Sequence, residues 1–242
     1  ETLVRNEVAY FCCVRQLLEE HPIQWDQEAT ERPGLFLAGD SHCLTGAWRQ
    51  VQLRGETRVL VPLLSTGLKA WHMRDESTFY PKMQLLNSMK ALPRGSQVVM
   101  AFGEIDCREG ILVSVNRDRY KDIQEGIQVT VKIYVKMLLR LVRDYGFEVF
   151  VHPVAPVLNE TREMVMLYNA ILKTEVLSAA EKVPGSLHWL DFVHKLLTRS
   201  KTTAFGGTKS ISNSLRHDLE LDGTHMSPVY VSDLSDALAS IP

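Results

Sequence analysis

The chain has 242 residues, 45% hydrophobic and 23% charged, enough for one α/β-sized domain with a buried core. A formal net charge of −2 argues against a general nucleic-acid binder. No apolar run approaches the ~20 residues that span a bilayer, so no membrane span is expected.

Cys12, Cys13, Cys43 and Cys107 form no CxxC and no disulfide framework. They are read as free thiols of an intracellular reducing compartment. The chain opens without a methionine or a signal-peptide pattern, so a fragment, or a mature form missing its targeting segment, is expected.

Residues 1–33 are read as a helical appendage and linker, and 34–242 as the main domain. Over 3–19, Val4, Val8, Phe11, Cys12 and Leu18 recur at three- and four-residue steps, which predicts an amphipathic helix. A lone helix of that length is marginal in water, so its apolar face is expected to pack on the domain or to dock a partner chain. His21-Pro22 and Arg32-Pro33-Gly34 mark the linker.

Residues 35–39, Leu-Phe-Leu-Ala-Gly, predict a short strand buried on both faces, and Gly39 permits the turn that follows. Ser41 then stands at the carboxyl end of the strand, where open α/β sheets place their ligands. His42 to Leu53 is read as a helix with Leu44, Ala47, Trp48 and Val51 inward and Ser41 as its N-cap. Alone, this stretch fits a capped βα turn without chemistry equally well.

Further strands are predicted at 59–64, 97–102, 148–153 and 186–190. Helices are predicted at 79–89, about 120–145 and about 161–182, and a closing helix begins at Ser227-Pro228. Residues 198–216, rich in Ser, Thr, Gly and Lys, are read as a mobile loop. Gly206-Gly207-Thr208-Lys209-Ser210 lacks the earlier glycine of a phosphate loop and counts as part of it. Trp48, Trp71 and Trp189 are read as core, and His152 as a structural histidine at a strand end. The alternation of strands and helices predicts an α/β fold with a five-stranded parallel sheet.

Chemistry concentrates in two stretches. Asp222 and His225 lie three apart, so a single turn brings carboxylate and imidazole together. The carboxylate can hold one ring N–H, which leaves the other nitrogen as a base for a serine hydroxyl. Alone, Asp-x-x-His is a weak signal.

Gly39-Asp40-Ser41-His42, Gly67 after the second strand, Gly103 after the third, and Asp222 with His225 together resemble the SGNH, or GDSL, hydrolase family. The resemblance covers about residues 35–240. It implies a three-layer flavodoxin-like fold and ester hydrolysis with no metal or other cofactor. Ser41, His225 and Asp222 would be the catalytic groups, and the Ser41 and Gly67 backbone N–H groups the oxyanion hole.

The third block departs from the family. Its usual Gly-x-Asn-Asp reads Gly103-Glu104-Ile105-Asp106 here, and Ile105 cannot donate to an oxyanion. Another donor such as His42 or Arg108 would have to serve. Glu104, Asp106 and Arg108 are read first as an ion-paired brace of the loop and second as cleft residues. The first reading is therefore a serine esterase acting on a small-molecule or glycan ester. The second is an inactive or weak module of that fold that binds or scaffolds, and the third an acyltransferase. None of the strands is followed by a dinucleotide fingerprint.

Overall fold

The computed structural model describes residues 2–23, 31–203 and 209–242. Helix α1 (Thr2–Glu20) precedes a sheet of six strands among the described residues. These are β1 (Gly34–Gly39), β2 (Gln50–Leu53), β3 (Glu56–Leu64), β4 (Gln97–Ala101), β5 (Glu148–Val151) and β6 (Leu187–Trp189), in the order β2-β3-β1-β4-β5-β6. The five predicted strands pair in parallel, and β2 adds an antiparallel edge on β3.

Period-two alternation sends Leu35, Leu37, Val99 and Phe150 to one face and Ala38, Val98, Met100 and Val151 to the other. Both faces are buried, as a parallel sheet requires. Helices α2 (Tyr80–Ala91), α3 (Ile111–Val115), α4 (Ile123–Tyr145) and α5 (Arg162–Ala180) cover the Met100 side. Helix α6 (Val231–Ala239) covers the Leu37 side, which completes three layers. Asp122 caps α4 by accepting the Glu125 N–H at 2.8 Å, and Gly146 ends it in a left-handed conformation, φ 69°. No described helix is long and apolar enough to cross a membrane.

The chain runs outward from β1 to β3 on one side and to β4 on the other. The crevice of such a sheet opens where that order reverses, at the carboxyl ends of β1 and β4. The strand ends approach closely there. A Cβ on Gly39 would lie 2.9 Å from the Ala101 carbonyl oxygen, so only glycine fits.

Four expectations need correction. Residues 42–53 are not a helix. Ser41–Gly46 is a 3-10 turn, and the chain then enters β2. Its N-cap is Asp40, whose carboxylate accepts the His42 N–H at 3.0 Å, rather than Ser41. A Cβ on Gly46 would meet Leu37 at 2.8 Å, and Trp48 adopts φ 62° and is exposed rather than core. Residues 198–216 are largely a hairpin of β7 (Leu197–Thr203) and β8 (Lys209–Leu215); Gly206, Gly207 and Thr208 lie outside the described residues.

Helix α1 meets the domain through a face other than the apolar one. The helix forms where predicted, but Val8, Phe11 and Leu18 are 54%, 68% and 63% exposed, and Cys12 is exposed as well. Among the described side chains of the helix, Cys13, from the opposite face, is the fully buried one. The side chain of Val4 lies outside those described.

Candidate active site

Ser41 leaves the end of β1 inside the 3-10 turn, and the Asp40 cap fixes its backbone. His225 arrives from a loop 184 residues away and places Nε2 2.8 Å from the Ser41 Oγ. Its Nδ1 lies 2.7 Å from Asp222 Oδ2. The Asp222 Oδ1 accepts the backbone N–H groups of Thr224 at 3.0 Å and His225 at 2.8 Å. This is an Asx turn, so the carboxylate shapes the loop that carries its own imidazole.

Burial works against the charge of Asp222, but the bonds from the His225 ring and the two backbone N–H groups outweigh it. They hold its pKa down at about 2. An ionised acceptor on Nδ1 makes that nitrogen the N–H donor and leaves Nε2 free to accept from Ser41.

The other strand ends converge on this point. The Ser65 N–H donates to the Gly39 carbonyl at 2.8 Å, which binds the turn after β3 to the end of β1. Gly67 follows in a left-handed conformation, φ 67°, with open space where a Cβ would be. After β4, Gly103 takes φ 124°, and a Cβ there would lie 2.7 Å from Val154. The first position favours glycine for its conformation, and the second requires it for space as well.

The expected brace forms in two separate parts. Arg108 Nε donates to Glu104 Oε1 at 2.9 Å, and Glu104 Oε2 faces His42 Nε2 at 3.3 Å. Burial alone would push the His42 pKa down, but Asp40 and Glu104 raise it. The His42 ring sits 4.8 Å from the His225 ring, centroid to centroid, so this charged row backs the Ser41–His225–Asp222 chain.

Asp106 does not join the pair. It accepts the N–H groups of Ala70 at 2.7 Å and Trp71 at 3.0 Å, and so clamps the loop after Gly67. Burial raises its pKa to about 7, against the pull of those two donors. Ile105 is buried and offers no donor. Arg108 Nη1 also pairs with Glu109 at 2.7 Å, so carboxylates engage two nitrogens of its guanidinium. His152 is buried, with its pKa lowered to about 4 by burial, and lies edge-on to Phe192 and Tyr230.

Sequence reasoning missed what α1 brings. Burial, with Asp40 beside it, raises the Tyr10 pKa, against the pull of Ser41, Thr66 and Gly67. The Cys13 Sγ and donor atoms of Asp222 and His225 all lie within 4.8 Å of one another. Burial, with Asp222 beside it, pushes the Cys13 pKa up to about 12, so this sulfur is a protonated thiol. Gln16 Nε2 donates to the Leu221 carbonyl at 2.7 Å. Tyr10, Cys13 and Gln16 share the three-residue spacing of a helix face, a signal overshadowed by the apolar residues opposite.

No protein-family model and no curated protein matches the chain. Among solved structures it is similar to "a putative SGNH hydrolase from Slackia heliotrinireducens", at 10% identity and a TM-score of 0.42, over 87% of this chain and 98% of that one. A likeness at this level assigns no chemistry here.

Proposed function

We propose that the chain is a serine hydrolase that cleaves an acyl ester. The observation that carries this reading is the placement of Ser41 Oγ 2.8 Å from an imidazole whose other nitrogen lies 2.7 Å from a carboxylate, at the crevice of the sheet. Ser41 Oγ attacks the ester carbonyl as His225 Nε2 takes its proton. Asp222 stabilises the imidazolium that results. The tetrahedral oxyanion faces the backbone N–H groups of Ser41 and Gly67. Collapse breaks the ester bond, and His225 returns the proton to the departing alcohol. Water then attacks the acyl-serine by the same route, releasing the acid and restoring Ser41. A small-molecule or glycan ester fits this chemistry.

The buried Ile105, which leaves two backbone donors, favours a second reading, a binding module on a hydrolase fold. A fluorophosphonate probe separates the two. On the hydrolase reading it forms a covalent adduct that Ser41→Ala abolishes with the melting temperature unchanged. No adduct on the wild-type chain, even after prolonged exposure with the site accessible, leaves the binding module.

A further inference from the structure

Helix α1 brings a thiol into the space beside the acid and the base. Cys13 is fully buried, and its Sγ, a carboxylate oxygen of Asp222 and a ring nitrogen of His225 all lie within 4.8 Å of one another. Among the described residues no other three histidine, cysteine or acidic side chains bring their donor atoms so close. The elements that carry them are already held together. Gln16, one turn beyond Cys13, donates to the Leu221 carbonyl at 2.7 Å and ties the helix to the loop one residue before Asp222. The Asx turn of Asp222 fixes His225 against it.

Thiolate, imidazole and carboxylate are zinc ligands, whereas magnesium and calcium take oxygen. Tetrahedral bonds of ~2.0–2.3 Å set neighbouring donors roughly 3.3–3.6 Å apart. Donors at most 4.8 Å apart reach that spacing by small side-chain rotations. Charge fits as well. The thiol gives up its proton to water on binding, and one thiolate with one carboxylate then cancels the two positive charges of Zn²⁺. A neutral site suits the buried Cys13 and His225. Asp222 reaches the surface, which gives the ion a route in and a water for the fourth position.

We propose that Cys13, Asp222 and His225 form an inhibitory Zn²⁺ site that closes the catalytic centre. The inhibition rests on the hydrolase reading; the metal site does not. The ion silences the base through either ring nitrogen. On Nε2 it takes the lone pair that accepts the Ser41 proton. On Nδ1 it displaces the hydrogen bond to Asp222 and puts the ring proton on Nε2, with the same result.

The full-length chain carrying Cys12→Ser, which removes the exposed neighbouring thiol, tests this. Co²⁺, a spectroscopic substitute for Zn²⁺, should bind in one equivalent and show thiolate-to-cobalt charge transfer with the visible bands of tetrahedral cobalt. Zn²⁺ should bleach these bands and Mg²⁺ should not. Free Zn²⁺ at about ten times its Kd should slow fluorophosphonate labelling of Ser41 about tenfold, because only the metal-free fraction reacts. Adding Cys13→Ser should weaken Zn²⁺ binding about a hundredfold. At the same Zn²⁺ concentration its labelling should then equal its own metal-free rate.

Absence of the thiolate band before Cys13 is changed would overturn the site without recourse to that variant. Equal Zn²⁺ affinity after Cys13→Ser would overturn it too, since the ion would then sit on other residues. Labelling that bound Zn²⁺ leaves unchanged or accelerates would overturn the inhibition. A cobalt–thiolate band that depends on Cys13, in a chain that the probe never labels with or without metal, would overturn the hydrolase reading and the inhibition while the metal site stands.

Discussion

At residue scale, the charged row behind the site sets a pH signature. Glu104 holds His42 at 3.3 Å with one oxygen and Arg108 at 2.9 Å with the other. Burial opposes a charge on His42, Arg108 adds to that opposition, and Asp40 with Glu104 prevails. A histidine whose folded pKa lies above its unfolded value, here 6.5, contributes stability that is complete below that value. The contribution is lost as pH rises through the folded pKa. Glu104→Gln should therefore lower the melting temperature more at about pH 6 than at about pH 9, because its effect on the Arg108 ion pair is the same at both. Equal decreases at the two pH values would mean that His42 is neutral beside Glu104.

At element scale, legibility follows the type of surface each element buries. β1, β4 and β5 are apolar on both faces, so their sequences show short uninterrupted runs that period-two burial explains. β2 escaped notice because Gln50-Val51-Gln52-Leu53 buries only one face at an edge, while Leu44, Ala47, Trp48 and Val51 mimic helical spacing. Gly46 and Trp48 decide against that helix, the first by close packing on Leu37 and the second by a positive φ. β7 and β8 form a separate two-stranded ribbon whose Ser, Thr and Lys residues resemble a loop in sequence. In the site, Asp222 and His225 are legible as a pair three residues apart, while their meeting with Ser41, 184 residues away, is expected only through the family resemblance. The contribution of α1 is not legible, since only its tertiary position brings Cys13 and Gln16 to the loop that carries Asp222 and His225. The glycine turns offer a test at this scale. Gly103→Ala faces both φ 124° and an approach of 2.7 Å to Val154, whereas Gly185→Ala faces φ 74° in open space. The first should cost about 2–6 kcal/mol and the second about 1–2 kcal/mol, read from urea midpoints. Equal costs would show that Val154 and Tyr168 yield freely at Gly103.

At the scale of the whole molecule, the end of the sheet away from the site is held by one carboxylate. Glu148, the first residue of β5, accepts from both Arg54 terminal nitrogens at 3.1 and 2.6 Å, from Gln97 at 2.8 Å, and meets His188 at 3.0 Å. Arg54 also donates to the carbonyl of Pro242 at 2.7 Å. The turn between β2 and β3, the starts of β4 and β5, β6 and the chain end thus meet at Glu148. Burial opposes its charge, but His188, Arg54 and Gln97 outweigh burial and lower its pKa to about 2. An acid depressed in this way contributes stability above its unfolded pKa, here 4.5, and loses it as pH falls toward 2. Asp106 has the opposite sign. Its folded pKa of about 7 means that stability declines as pH rises from its unfolded value of 3.8 toward 7. Acid unfolding should therefore draw on Glu148 and not on Asp106. Glu148→Gln should lower stability at neutral pH and flatten the decline between about pH 4.5 and pH 2, followed by circular dichroism. Labelling of Ser41 at neutral pH should stay at the wild-type rate, because parallel strands put Glu148 and Ser41 at opposite ends of the sheet. A variant with an undiminished acid decline would show that the three partners hold the edge without the charge of Glu148.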